Sequence, residues 1–395
     1  MTREVVDVAI VGAGPVGVLL SAELARHGVA AVTLEQRAEP GGGSRAVGVH
    51  ATALAAMEAS GATERLLAGA RRVRLGEARR QGRSLGLVRF ERLHTRHPYV
   101  ATLPQPRTEA ALAHTAAAWG AAPPRRGVRV RALVPRADRV ELILADGATL
   151  EARVAVVAGG LRARDLLPLR ARVLRYPDRY LMTDCADDGD DGDRAVVHLD
   201  PRGVLESFPL PDGRRRYVAW MPAGDLRPAG DRLREAVATR TGSDAAASAV
   251  AEATGFGVAR SALPAMRAGR VLAVGDTAHE VSPIGGQGMN LGLLDAVTLA
   301  PLLSRWVRAE TAGIVGPGRA GAVPWEAIAA WERRRRAAAG RSGRIAAVNT
   351  VLGRPANAAG AAAVRAALAS PGTLVLAHAY AMGFDPDARL FRTPR

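Results

Sequence analysis

The chain has 395 residues, with 54 Lys+Arg against 38 Asp+Glu for a formal net charge of +16, and only 4% aromatic residues. That length exceeds one compact domain, so two interlocked domains, or one domain with a large insertion, are expected. The arginines are scattered and the aromatics sparse, which argues against nucleic acid as a partner, and the single cysteine, Cys185, excludes an intrachain disulfide and a cysteine-based metal site.

In chain order, Val5 to Val11 is a mostly β-branched run, followed by Gly12-Ala13-Gly14-Pro15-Val16-Gly17 and an Ala/Leu-rich helical stretch to His27. Val29 to Glu35 is a second apolar run, so the opening reads as strand, glycine turn, helix, parallel strand. Gly41 to Ser44 is a glycine loop, and Ala51 to Leu67 reads as a helix interrupted at Ser60-Gly61. Arg71 to Tyr99 is arginine-rich and weakly periodic, as suits an excursion into another sheet. Thr108 to Trp119 reads as a helix, and Val128 to Leu150 alternates around the hairpin signal Asp146-Gly147. Val154 to Ala158 is a buried-type strand and Asp184 to Asp193 an acidic solvated loop. Ala195 to Met221 alternates around Pro211-Asp212-Gly213 and predicts an antiparallel sheet; Leu233 to Ala253 reads as a helix. Val271 to Val274 is a short strand ending at Gly275-Asp276, Met289 to Trp306 is a helix, and helices continue to the C-terminus with breaks at Pro355 and Pro371-Gly372. Trp331 to Arg344 is basic and amphipathic, a helix whose arginines form the solvated face or, alternatively, touch an anionic membrane.

The first turn carries a specific chemistry. Gly12 permits the tight bend, Gly14 lets backbone approach a pyrophosphate, and Gly17 lets the helix pack on its strand. The helix N-terminus offers unpaired N–H groups and a positive dipole end to phosphate, with Pro15 in its first turn. Glu35 closes the second strand 18 residues after Gly17, where a carboxylate accepts hydrogen bonds from ribose hydroxyls. Gln36 and Arg37 follow it as further candidate cofactor contacts. The turn by itself leaves FAD and a nicotinamide both open.

A second segment, Gly269 to Gly292, reads as a strand ending in Asp276, a loop, and the glycine-rich helix entry Pro283-Ile284-Gly285-Gly286-Gln287-Gly288-Met289-Asn290. Asp276 can bond a polyol chain, and the helix entry, with Gly286, Gly288, Met289 and Asn290, can hold negative charge such as develops on a reduced flavin. In Gly-Asp-Thr-Ala-His, Pro-Ile-Gly-Gly-Gln-Gly-Met-Asn-Leu-Gly and Asp295 the sequence resembles the class A flavoprotein monooxygenases, the aromatic-hydroxylase family, in its ubiquinone-biosynthesis and actinobacterial polyketide branches. The resemblance runs in motif order from about residue 5 to about residue 340.

What the resemblance implies is an α/β (mixed α+β) fold: a Rossmann-like FAD-binding domain with an inserted antiparallel-sheet substrate domain and C-terminal helices. The corresponding boundaries are 1–75, 100–175 and 265–320 for the FAD-binding domain, 76–99 and 176–264 for the substrate domain, and 321–395 for the helical region. It implies cofactor contacts at Arg45, Gln105 and Asp276 and a reaction-site proline at Pro283. It further implies FAD as cofactor, NADPH or NADH as co-substrate, and oxygen transfer from a flavin C4a-hydroperoxide to a small apolar aromatic or polyketide-like substrate, by hydroxylation or epoxidation. Candidate walls of the substrate space are His198, Glu206, Phe208, Tyr217, Trp220 and Met221, with His198 or Tyr217 as a base towards a phenol. His279 reads as a structural hydrogen-bonding residue.

One element departs from the family. Where an Asp-Gly pair with a downstream serine and arginine is usual, this chain has Gly159-Gly160 followed by Ala163 and Leu166, with Arg162 or Arg164 as substitutes for the arginine. The departure keeps open a redox-neutral cyclase that uses FAD as a scaffold, and a non-enzymatic FAD-binding protein. No catalytic triad and no metal are expected. With no charged leader before the first strand and no run of roughly 18 uncharged apolar residues, the expectation is a cytoplasmic protein without an integral membrane segment, a monomer or homodimer.

Overall fold

A computed structural model describes residues 4–41, 46–312, 325–355, 358–369 and 372–391. Strand β1 (Glu4–Val11) leads through the glycine turn into helix α1 (Pro15–Arg26) and strand β2 (Ala31–Glu35). Val8, Ala9 and Ile10 are fully buried although they point to both faces of their strand, because helices cover the parallel sheet on both sides. Helix α2 (Gln105–Ala118) packs on α1, starting three residues before the pattern predicts. Strand β3 (Thr149–Val157) returns to the sheet parallel to β1. The Asp146-Gly147 signal is a true hairpin, whose other strand, Val140–Leu144, pairs antiparallel with β3.

The chain then enters a second sheet through β4 (Arg172–Ala186), β5 (Ala195–Asp200), β6 (Gly203–Leu210) and β7 (Arg214–Met221). Helix α3 (Ala229–Thr241) follows; it ends at Gly242 with φ +74°, so the expected single helix to Ala253 is two, the second being Asp244–Ser248. Strand β8 (Thr254–Ala262) completes the central part of this sheet against β4. The order across it is His279–Glu280, β8, β4, β7, β6, β5, Leu75–Arg80, Arg83–Arg89. Every pairing is antiparallel except that of β5 with Leu75–Arg80. That pair is how the arginine-rich excursion near residue 80 joins the sheet.

Strand β9 (Val271–Ala273) re-enters the first sheet parallel to β3. Helix α4 (Gln287–Thr311) then packs along α1, and α5 (Trp325–Leu352), α6 (Ala358–Ala369) and α7 (Gly372–Tyr380) follow. The main core surrounds the parallel sheet, a second core lies between one face of the antiparallel sheet and α3, and a third lies between its other face and Ile284, α6 and α7. The mixed α/β class expected from the sequence is the class observed. No single helix among the described residues is long and apolar enough to cross a membrane; α6 and α7 meet that length only as a pair bent by 99°.

Candidate functional site

The three glycines of the first turn do different work. Gly12 sits at φ +111°, and a Cβ there would lie 2.5 Å from Gly159 Cα. A Cβ on Gly17 would collide with the Gly12 carbonyl oxygen, so both positions are fixed by the protein's own packing. Gly14 is different: its backbone is ordinary extended chain, and nothing lies within 4 Å of the position its Cβ would take. That open space stands at the start of α1, whose first turn has no capping side chain and contains no acidic residue.

Glu35, at the end of β2, accepts hydrogen bonds from the Ala13 amide (2.8 Å), the Arg37 amide (2.9 Å) and Arg37 Nε (3.1 Å). Burial alone would raise this carboxyl. The hydrogen bonds from the Arg37 side chain and from the two amides outweigh burial and hold it below the usual carboxylate range. Arg37 is thereby engaged with Glu35, and Gln36 is exposed beside it. Arg45 lies outside the described residues.

The second segment meets the first at Val16. A Cβ on Gly275 would lie 3.2 Å from Val16 Cγ2, and one on Gly292 would lie 3.0 Å from Gly275 Cα. The Gly275–Asp276 turn, the start of α1 and the first turns of α4 are thus packed into one unit. Gly285 (φ +100°) and Gly286 (φ +67°) bend the chain into α4, whose 25 residues begin with no capping side chain and no acid in the first turn. Asp276 is exposed and stands beside Gly288. Met289 and Pro283 are half-buried, and Gln105 opens α2 with its side-chain amide donating to Glu109 (3.0 Å). Asn290 is fully buried and works through its side chain: Nδ2 donates to the Gly48 and Gly286 carbonyls (both 2.9 Å), and Oδ1 accepts from the His50 amide (2.8 Å). It fastens the helix entry to the 48–50 segment.

Three neighbours complete this site; the sequence marks Arg164, as a substitute for the family arginine, but carries no signal for His50 or for the burial of Arg335. His50 is buried against Gly286, its Nδ1 has no partner among the described residues, and burial lowers its pKa to about 4, so it is neutral. Arg164 donates to the carbonyls of Thr277 (2.9 Å) and Asp276 (2.8 Å) and to Ser261 Oγ (2.6 Å), so it braces the Asp276 turn, while Arg162 is exposed. Arg335 is the third. The basic stretch around it was expected to turn its arginines to solvent, yet Arg335 is fully buried and donates to Asp295 (2.7 Å), Asp385 (2.9 Å), Asp387 (3.2 Å) and the Leu291 carbonyl (3.1 Å). The other oxygen of Asp295 accepts from the Gly275 amide (2.9 Å) and pairs with His279 Nε2 (2.7 Å), the structural role expected of His279.

Gly159 reads in the sequence as a loss. In the structure a Cβ there would lie 2.7 Å from Ala163 Cβ, tighter than any real contact, so the glycine and the alanine are matched. Restoring the family acid by Gly159→Asp is therefore expected to cost about 1–3 kcal/mol through overpacking without improving cofactor retention. Urea denaturation together with flavin content checks it; an unchanged midpoint with more flavin retained would refute it.

The antiparallel sheet corrects part of the expected substrate wall. His198 lies opposite Leu205, and Leu205, Tyr217, Ala219 and Met221 are packed under α3 with Leu233 and Val237. Side chains alternate strictly along a strand, so His198, Tyr217 and Met221 all face α3, away from Ile284 and the Pro283–Gly288 loop. Neither His198 nor Tyr217 is placed to act as a base on that side. The opposite parity, with Tyr180, Val204, Glu206, Phe208, Val218 and Trp220, faces Ile284 and the C-terminal helices. Trp220 Nε1 donates to Asp178 (3.0 Å), which also pairs with Arg354 (2.9 Å) at the end of α5.

A doubly wound sheet whose glycine turn, strand-end acid and second helix entry are packed into one unit, beside a second, largely antiparallel sheet, defines a dinucleotide-binding flavoprotein. The chain belongs to the FAD binding domain family, which matches residues 5–314. It is 34% identical over 306 residues to rifampicin monooxygenase of Streptomyces venezuelae, covering 74% of this chain and 63% of that protein. It is 33% identical over 358 residues to the 12-dehydrotetracycline 5-monooxygenase/anhydrotetracycline 6-monooxygenase of Streptomyces rimosus subsp. rimosus, covering 84% of this chain and 66% of that one. The chain thus spans somewhat less than two thirds of the length of these relatives. Among solved structures, the anhydrotetracycline hydroxylase OxyS from Streptomyces rimosus aligns with a TM-score of 0.76 at 29% identity, over 95% of this chain and 76% of that one.

Proposed function

We propose that this chain is an FAD-dependent monooxygenase that hydroxylates a polycyclic aromatic substrate with NADPH or NADH as reductant. The observation that carries the reading is the open space at Gly14 beside uncapped helix amides, packed through Val16 against the Asp276 turn and the α4 entry. These residues fit FAD: the α1 amides for the pyrophosphate, Glu35 for a ribose hydroxyl, Asp276 for the ribityl chain, and the α4 amides for negative charge at the ring end. When bound, FAD supplies the electron transfer and oxygen activation. The protein's part is to bind, to orient and to exclude water. Arg164 and Asp295 hold the Asp276 turn from two sides, and Asn290 holds the glycine bend. The inner face of the antiparallel sheet supplies the substrate wall, with Phe208 and Trp220 on it.

The relatives named for tetracycline intermediates and rifampicin support a large aromatic polyketide as the substrate class. The test is incubation of the flavin-loaded protein with NADPH, 18O2 and anhydrotetracycline or rifampicin, read by product mass. A product heavier by one labelled oxygen, with flavin bleaching on NADPH addition, is expected. No bleaching with NADPH or NADH, with or without either compound, would reject the hydroxylase.

A further inference from the structure

Glu206 is a carboxylate only 7% exposed that meets neither a hydrogen-bond donor nor a cation among the described residues. A buried acid without a partner is costly, and proteins keep one where a ligand or a reaction makes use of it. Its position is fixed by register. On β6 it stands opposite Val218 of β7 and Val197 of β5, on the face that packs towards Ile284.

A second unpartnered group shares this face. The Tyr180 hydroxyl from β4 is buried and has no partner among the described residues, although the tyrosine is only 1% exposed. Tyr380 of α7 also lies within electrostatic reach of Glu206, but its hydroxyl donates to Asn349 Oδ1 (2.9 Å), and Asn349 lies against Gly285 of the glycine bend. Beyond Tyr180 the Asp178–Arg354 pair is already closed on itself and on Trp220. A carboxyl on β6 and a phenol on β4, with β7 between them, are therefore left over on the wall that faces the cofactor loop, within electrostatic reach of each other.

We propose that Glu206 is the acid–base group for a hydroxyl on the substrate, with the Tyr180 hydroxyl as the second hydrogen-bonding group, so that the enzyme takes phenolic or enolic rings in preference to bare hydrocarbons. This deepens the hydroxylase reading and rests on it, because oxygen transfer favours an electron-rich ring. In the step, the substrate O–H bond breaks, the proton passes to a Glu206 carboxylate oxygen, and the electron pair stays on the ring oxygen. Nothing is oxidised or reduced, and the proton returns when the product leaves. Burial raises the Glu206 pKa to about 7, so its basic form grows as pH rises through neutrality. Tyr180 and Tyr380 are both pushed upward, by burial first and then by the Glu206 charge, so they stay neutral over that range.

The test uses flavin-loaded protein without reductant, with 2-naphthol and naphthalene as probes. Binding is read from perturbation of the flavin absorbance across pH. The wild type should prefer naphthol by at least about 10-fold above neutrality, the scale of one hydrogen bond to a charged group, with the preference falling along a curve centred near pH 7 as Glu206 is protonated. Glu206→Gln should lose both the preference and the curve, Glu206→Asp should regain part of them, and Tyr217→Phe, on the opposite face, should change neither. A Glu206→Gln protein that keeps the preference and the curve overturns the proposal, as does a wild type that fails to distinguish the probes, including one that binds neither. Because binding is read without turnover, Glu206-dependent naphthol binding with no oxygenated product would sink the hydroxylase and leave this assignment standing.

Discussion

Replacing Arg335 with leucine should destabilise the protein by about 3–5 kcal/mol, the usual cost of removing one partner from a buried ionic group. The side chain is fully buried, and its removal leaves Asp385 without its cation, Asp295 with only His279 and Asp387 with only the partly exposed Arg334. The measurement is urea denaturation followed by tryptophan fluorescence, since Trp306 and Trp331 are buried in the same core. The pH dependence has a definite sign. Burial opposes ionisation of Asp295, and the charges of His279 and Arg335 overcome it, holding its pKa below the usual range. A carboxyl depressed in the folded state adds stability above its unfolded pKa and loses it as pH falls through the folded value, so the wild type should weaken only well into acid. Without Arg335 the buried carboxyls favour protonation, so the deficit of the leucine variant should shrink as pH falls from about 7 towards about 5. A deficit constant over that range would show that lost packing, rather than stranded charge, is the cause. FAD retention should fall as well, because Asp295 also holds the Gly275 amide.

Arg335 also shows where sequence reading stops. A basic amphipathic stretch predicts arginines in solvent, and one of them is instead closed by Asp295 and Asp385, 40 and 50 residues away. Nothing local marks such a pairing. The parallel-sheet half was legible because its chemistry is contiguous: Gly12, Gly14 and Gly17 are spaced for one turn, and Glu35 reaches back to the Ala13 amide within that same unit. The antiparallel sheet was legible as alternation but not as orientation. Period two says that His198 and Val197 face opposite ways; only the packing of Leu205 and Tyr217 under α3 says which way is inward. The base candidates His198 and Tyr217 both lie on the parity that packs under α3, whereas Glu206, expected only as wall, lies on the opposite one. Gly159 was legible only in part for a related reason. The missing acid is visible in the sequence, whereas the Ala163 methyl that fills its place is not.

The glycine turn allows a prediction in which folding and cofactor binding separate. Gly14→Val should leave the apoprotein's stability nearly unchanged, because the backbone there (φ −76°, ψ −178°) suits any residue and the side chain would enter empty space. Its effect should fall on FAD, weakening binding on the order of 100-fold, near 3 kcal/mol, since that empty space is where the pyrophosphate must approach the α1 amides. Gly17→Ala, although smaller, should do the reverse in order: its methyl meets the Gly12 carbonyl, so the turn must open, the apoprotein loses stability, and FAD is lost as a consequence. Titration of apoprotein with FAD, set beside denaturation of both apo variants, distinguishes the two. A valine at 14 that leaves FAD affinity intact would mean that the pyrophosphate does not lie over this turn, and the cofactor assignment of Glu35 and the α1 amides would fall with it.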